Sequence, residues 1–286
     1  MSGARELRLP GGRGRLAALR AGDPAGPKLL ALHGWLDNAA SFEPLFPELA
    51  GFDLVALDLP GHGASAHRAP GHDYAYVDWL HDVLDALDAL GWERAHLLGH
   101  SMGATIASTL ASACPARVER LALIEGLGPL GAPAESAGIR LREAVAARRV
   151  LQSKNGAPAR VIPDLASAVQ ARLLATPMRY ADAERIVRRN LRPVEGGFVW
   201  RSDPRLRLPS ALRLTEEGIR AVLAGIEAPT LLIAAVPAPP YFSPAQRAAR
   251  AACVPRIEVQ ALEGGHHLHM ERAAEVGARL RAFLAG

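Results

Sequence analysis

Short continuous apolar runs recur along the chain, separated by stretches with helical periodicity. Lys28 to His33, Asp53 to Leu57, Ala95 to Leu98 and Val118 to Ile124 have the length and composition of strands buried on both faces. Glu6 to Leu9 and Arg15 to Leu19 alternate more strictly, which predicts an antiparallel hairpin at a solvated sheet edge. From Tyr76 to Leu90, the residues Val77, Leu80, Val83, Leu84, Leu87 and Leu90 form one stripe, with Asp78, Asp82, Asp85 and Asp88 opposite. That pattern predicts an amphipathic helix, and Gly91 supplies its C-terminal stop. The alternation resumes at residue 228 with a strand over Thr230–Val236, a helix over Pro244–Cys253, a strand over Ile257–Leu262 and a helix over Glu271–Leu284. Strand–helix alternation on both sides predicts a single α/β unit with a doubly wound, mostly parallel sheet. Residues 127 to 225 lack it and read as short helices broken by Pro133, Pro158, Pro163, Pro177 and Pro193, an excursion from the sheet.

Composition narrows the class. Of 286 residues, 49% are hydrophobic and 22% charged, which excludes a disordered chain. No apolar run reaches the roughly 18–20 residues of a membrane span, so no membrane partner is expected. Met1 to Leu19 carries Arg5, Arg8, Arg13 and Arg15 and has no apolar core of signal-peptide length. Cys114 and Cys253 are the only cysteines, which argues against a disulfide framework or a Cys-rich zinc site and predicts a cytoplasmic protein. The net charge is +4, but it is unevenly spread: Leu127 to Ala224 holds 17 basic and 9 acidic residues, a balance of +8, and the remainder holds 16 and 20, a balance of −4. Without aromatic interleaving or a recognisable nucleic-acid module, this central excess does not predict nucleic-acid binding.

Three segments carry candidate chemistry. Gly99-His100-Ser101-Met102-Gly103 lies between a predicted strand and a predicted helix, Ala104 to Ala113. A serine there sits on a tight turn that lifts its hydroxyl above the sheet, and the following helix aims its free N–H groups at the place where an oxyanion would form. His33-Gly34-Trp35 ends an earlier strand. In this architecture the oxyanion hole takes one N–H from the residue after the nucleophile and one from such a loop, which selects Met102 and Trp35. His33 reads as a structural residue bonded within the loop. The third segment, Gly264 to Glu271, offers three histidines, His266, His267 and His269, for the role of general base. Neighbouring side chains there diverge and no second ligand cluster is visible, so neither a metal nor another cofactor is expected.

Together these pieces resemble the α/β-hydrolase family. His33-Gly34-Trp35-Leu36-Asp37-Asn38, Asp58-Leu59-Pro60-Gly61-His62-Gly63-Ala64-Ser65, the Ser101 turn and Gly265-His266 occur in that family's order. The wording His-Gly-Trp-Leu-Asp-Asn, with Trp200 to Leu206 in the middle, further resembles its serine hydrolase-like branch. The resemblance implies a core over 1–126 and 228–286 with an inserted helical cap over 127–227, and it selects His266 as the base. Most members carry an Asp just after the strand matching Thr230–Val236, yet no Asp or Glu occurs from Ala228 to Ile257. Some members place the acid after the preceding strand, where this chain has Glu125; Asp58 lies in a setting that is usually structural in the family.

The expected function is a serine hydrolase cleaving a carboxylic ester or related acyl bond. Ser101 is the nucleophile, His266 the base and Glu125 its orienting acid, with the amides of Trp35 and Met102 facing the oxyanion. Trp200 and Phe198 are expected to line a pocket for a small-molecule acyl substrate. The alternative is a non-catalytic, ligand-binding member of the same fold. Oligomeric state is not legible in the sequence.

Overall fold

The computed structural model describes residues 3–154 and 160–286, so Pro158 lies outside the described residues. The strands are β1 (Arg5–Leu9), β2 (Leu16–Gly22), β3 (Lys28–Leu32), β4 (Asp53–Asp58), β5 (Ala95–His100) and β6 (Val118–Ile124), followed after a long excursion by β9 (Thr230–Val236) and β10 (Ile257–Glu263). They form one eight-stranded sheet in the order β1-β2-β4-β3-β5-β6-β9-β10. Strand β2 runs antiparallel to both β1 and β4, and the remaining neighbours are parallel.

The continuous apolar runs follow from burial on both faces. Leu30 and Leu32 of β3 join Val55, Leu57, Leu97, Leu121 and Leu123 under α1 (Asp78–Ala89) and α2 (Met102–Ala113). Leu29 and Ala31 point the other way, with Leu54, Leu98, Ile124 and Leu231, against Phe42, Leu45 and the terminal helix (Ala273–Ala285). Edge strand β10 is mostly exposed, as one-sided pairing allows.

Helix α1 ends where Gly91 predicts. Gly91 takes φ +68°, its N–H donates to the Asp88 carbonyl at 3.0 Å, and the Trp92 N–H donates to the Leu87 carbonyl at 2.8 Å. Its buried face differs from the predicted stripe. Trp79, Asp82, Val83, Ala86 and Leu87 face inward, whereas Val77 is exposed. Asp82 is accommodated because the Arg68 guanidinium engages both of its oxygens.

Between β6 and β9 the chain forms α3 (Ala137–Ser153), α4 (Leu165–Ala175), α5 (Tyr180–Asn190), a hairpin of β7 (Leu191–Val194) and β8 (Gly197–Trp200), and α6 (Glu216–Leu223). The hairpin departs from the expectation of mostly short helices. Its turn is made by Gly196 at φ +79° and Gly197 at φ +145°, a conformation open to glycine alone at little cost. Ala168, Val169, Ala183, Val187 and Leu191 form a small core within this segment. Ile219 and Leu223 of α6 instead join the core beneath the sheet.

The uneven charge also has a structural basis. Arginines of the excursion pair with acids of the sheet unit: Arg172 with Asp37 at 2.6 Å, Arg185 with Glu43 at 3.1 Å, and Arg189 with Asp58 at 2.8 Å and Glu6 at 2.9 Å. Arg148 pairs with Asp73 in the same way. Part of the central excess of positive charge is thus met across the contact. Among the described residues no helix is long and apolar enough to cross a membrane.

Candidate active site

The loops after β3, β5, β6, β9 and β10 all leave the same carboxyl edge of the sheet, where open α/β sheets place their ligands. Ser101 sits there between β5 and α2 at φ 51° and ψ −116°, a conformation a side-chain-bearing residue adopts only when its surroundings impose it. Its N–H donates to the Ile124 carbonyl at 2.8 Å, and its carbonyl accepts from the Thr105 N–H at 3.0 Å. The flanking glycines are required by contact. A Cβ on Gly103 would stand 1.9 Å from the Leu32 carbonyl oxygen, and one on Gly99 would stand 2.4 Å from the Ala104 Cα.

Glu125 follows β6 at φ +56° and is buried. One carboxylate oxygen, Oε1, accepts the Ala235 N–H at 2.5 Å; the other, Oε2, faces His266 Nδ1 at 3.5 Å. The carboxylate is therefore turned into the protein rather than onto its surface. Tyr241, in the loop after β9, brings its hydroxyl to 2.8 Å from the same Nδ1 and 3.4 Å from Nε2. Burial, reinforced by the Glu125 carboxylate, pushes the Tyr241 phenol up to about 12, so it stays protonated. Sequence reasoning noted this loop only for its lack of an acid.

The remaining predicted residues are placed as follows. Met102 is the first residue of α2, where helix geometry leaves its N–H without an intrahelical acceptor. Trp35 is half exposed, and its indole N–H donates to the Leu206 carbonyl at 3.0 Å. His33 is structural: Nδ1 donates to the Gly34 carbonyl at 2.7 Å and Nε2 accepts the Leu59 N–H at 3.0 Å. Burial lowers its imidazole to about 4, keeping it neutral. Asp58 accepts from the amides of Ala39 at 2.8 Å and Ala64 at 2.7 Å and pairs with Arg189, also a structural role. Phe198 and Trp200 pack against the excursion's own small core, and the Phe198 backbone bridges to Ile162.

The structure also corrects the expectation that no ligand cluster surrounds the histidines. Asp37 from the loop after β3, His100 at the end of β5 and His267 converge beneath the His266 loop, all buried. Their separation in sequence hid this, because three different strand ends supply them.

Residues 27–273 match the family described as alpha/beta hydrolase fold, and the chain belongs to that family. The chain is 29% identical to the serine hydrolase-like protein of Danio rerio over 98% of its own length and 88% of the relative's. It is 30% identical to a serine hydrolase-like protein of Dictyostelium discoideum, covering 99% and 82% of the two chains. Within the family it thus falls in the serine hydrolase-like branch. Among solved structures it is similar to a hypothetical protein of Pseudomonas aeruginosa PAO1, with a TM-score of 0.91, 44% identity and coverage of 98% and 99%. It is also similar to the thioesterase domain of the curacin biosynthetic pathway, with a TM-score of 0.83, 25% identity and coverage of 97% and 98%.

Proposed function

We propose that the chain is a serine hydrolase that cleaves a carboxylic ester or related acyl bond of a small molecule through an acyl-enzyme on Ser101. The observation that carries this reading is the strained Ser101 turn at the carboxyl edge of the sheet, the same edge whose loops bring His266 to the buried Glu125 carboxylate. In this scheme Ser101 Oγ attacks the acyl carbon as His266 Nε2 takes its proton. Glu125 stabilises the imidazolium, and the amides of Trp35 and Met102 donate to the oxyanion. His266 then protonates the leaving group, and water activated by the same imidazole releases the acyl group. The likeness to a thioesterase domain supports acyl thioesters as well as esters in the substrate class.

A non-catalytic, ligand-binding role is the second reading, favoured by the Tyr241 hydroxyl on Nδ1, which competes with Glu125 for the imidazole. Fluorophosphonate labelling followed by a graded p-nitrophenyl ester panel separates the two. The expected result is a single adduct on Ser101, lost in Ser101→Ala, with turnover of at least one ester. Labelling of Ser101→Ala at the wild-type rate would overturn the scheme. Labelling of Ser101 with no turnover on any ester would favour the binding role.

A further inference from the structure

We propose that Asp37, His100 and His267 form a buried binding site for a divalent late first-row transition metal, such as Zn²⁺ or Co²⁺, beneath the loop that holds His266. Asp37 Oδ2 lies 3.1 Å from His267 Nε2 and 3.7 Å from His100 Nδ1, and the three donor atoms all lie within 4.8 Å of one another. A tetrahedral ion with bonds of about 2.0–2.1 Å spaces its donors roughly 3.3 Å apart, so the Asp37–His267 pair already matches, the Asp37–His100 pair needs a small shift, and the two imidazoles must close from within 4.8 Å.

The hydrogen bonding around the cluster leaves a position for a cation. His100 Nε2 donates to the His266 carbonyl at 2.9 Å, which assigns the proton to that nitrogen and leaves a lone pair on Nδ1. That lone pair faces a carboxylate oxygen, acceptor against acceptor, and His100 Nδ1 has no hydrogen-bond partner. A buried polar atom without a partner calls for an occupant. Two of the three ligands have the supports that orient metal ligands, a backbone carbonyl on the far nitrogen of His100 and the Arg172 guanidinium on Asp37 Oδ1 at 2.6 Å, whereas His267 Nδ1 has no partner. Arg172 also opposes a dication, which tempers the affinity. His269, whose two ring nitrogens are both without partners, borders the same space with its ring 4.2 Å from that of His100. Two imidazoles and one carboxylate suit Zn²⁺, Co²⁺, Ni²⁺ or Cu²⁺ rather than Ca²⁺ or Mg²⁺. The alternative occupant is a proton shared by His267 and Asp37.

The test is a Co²⁺ titration of chelator-treated protein, read by visible d–d absorption and by calorimetric stoichiometry, with Zn²⁺ competition and a Mg²⁺ control. One ion per chain is expected, displaced by Zn²⁺ and unaffected by Mg²⁺. Asp37→Asn and His267→Gln, checked for folding by circular dichroism, should each weaken binding at least about tenfold. X-ray absorption of the Zn²⁺-loaded wild type needs no variant and should show nitrogen and oxygen ligands at about 2.0–2.1 Å. A wild-type protein that binds no Co²⁺, folded variants that bind it unchanged, or sulfur in the ligand shell would each overturn the site. Because His100 precedes Ser101 and His267 follows His266, bound Zn²⁺ is also expected to slow fluorophosphonate labelling. That readout rests on the proposed function, whereas the Co²⁺ spectrum does not, so the two readings fail separately.

Discussion

The Tyr241 hydroxyl stands 2.8 Å from His266 Nδ1, nearer than the Glu125 carboxylate at 3.5 Å. The two groups make different demands on that nitrogen. A carboxylate needs an N–H there, which leaves Nε2 free to accept the Ser101 proton; a phenol that donates to Nδ1 moves the imidazole proton to Nε2 and blocks it. Tyr241→Phe leaves Glu125 alone on Nδ1. Removing one competing hydrogen bond is worth about 1 kcal/mol, so fluorophosphonate labelling of Ser101 is expected to become about fivefold faster. A large fall in the labelling rate would instead make the phenol part of the machinery.

Glu125→Gln keeps the size of the side chain, and its amide oxygen can still accept the Ala235 N–H. The neutral amide stabilises an imidazolium far less than a carboxylate does. Ester turnover is expected to fall at least about a hundredfold in kcat, with KM and thermal melting little changed. An unchanged kcat would remove Glu125 from the scheme.

Two neutral buried histidines set an acid limit on stability. Burial lowers His33 to about 4 and His62 to about 3 from an unfolded value near 6.5. Below about pH 6.5 the unfolded chain binds protons that the folded chain refuses, so stability is lost as pH falls toward about 4. The loss is on the order of a few kcal/mol, read as a lower urea midpoint at about pH 4.5 than at about pH 7. Equal midpoints at the two values would contradict the neutral assignment.

Arg189 joins α5 to the sheet unit through the fully buried Asp58 carboxylate. Arg189→Met leaves that carboxylate with its two amide donors but no cation. A destabilisation of about 3 kcal/mol is expected, measured by urea unfolding. A change below about 0.5 kcal/mol would mean that the amides alone satisfy Asp58.

Local signals made much of the sheet legible. β6 and β9 coincide with Val118–Ile124 and Thr230–Val236 because their inner stretches, Leu121–Ile124 and Leu231–Ala235, are buried on both faces and apolar at every position. The Ser101 turn was legible because Gly99 and Gly103 are imposed by backbone contacts within a few residues of it and with the adjacent strand. The hairpin β7–β8 was missed because Pro193 and the paired glycines read equally as breaks between helices.

The sequence by itself determined the order of strands and helices on either side of the excursion, the serine turn and the lack of an acid after β9, since these depend on periodicity and residue type over short spans. Only the tertiary structure decided what meets at His266 and behind it. Glu125, Tyr241 and the loop holding His266 are far apart in sequence, as are Asp37, His100 and His267. They converge because parallel strands deliver their carboxyl ends to one edge of the sheet, and a pattern read along the chain carries no information about distances across that edge.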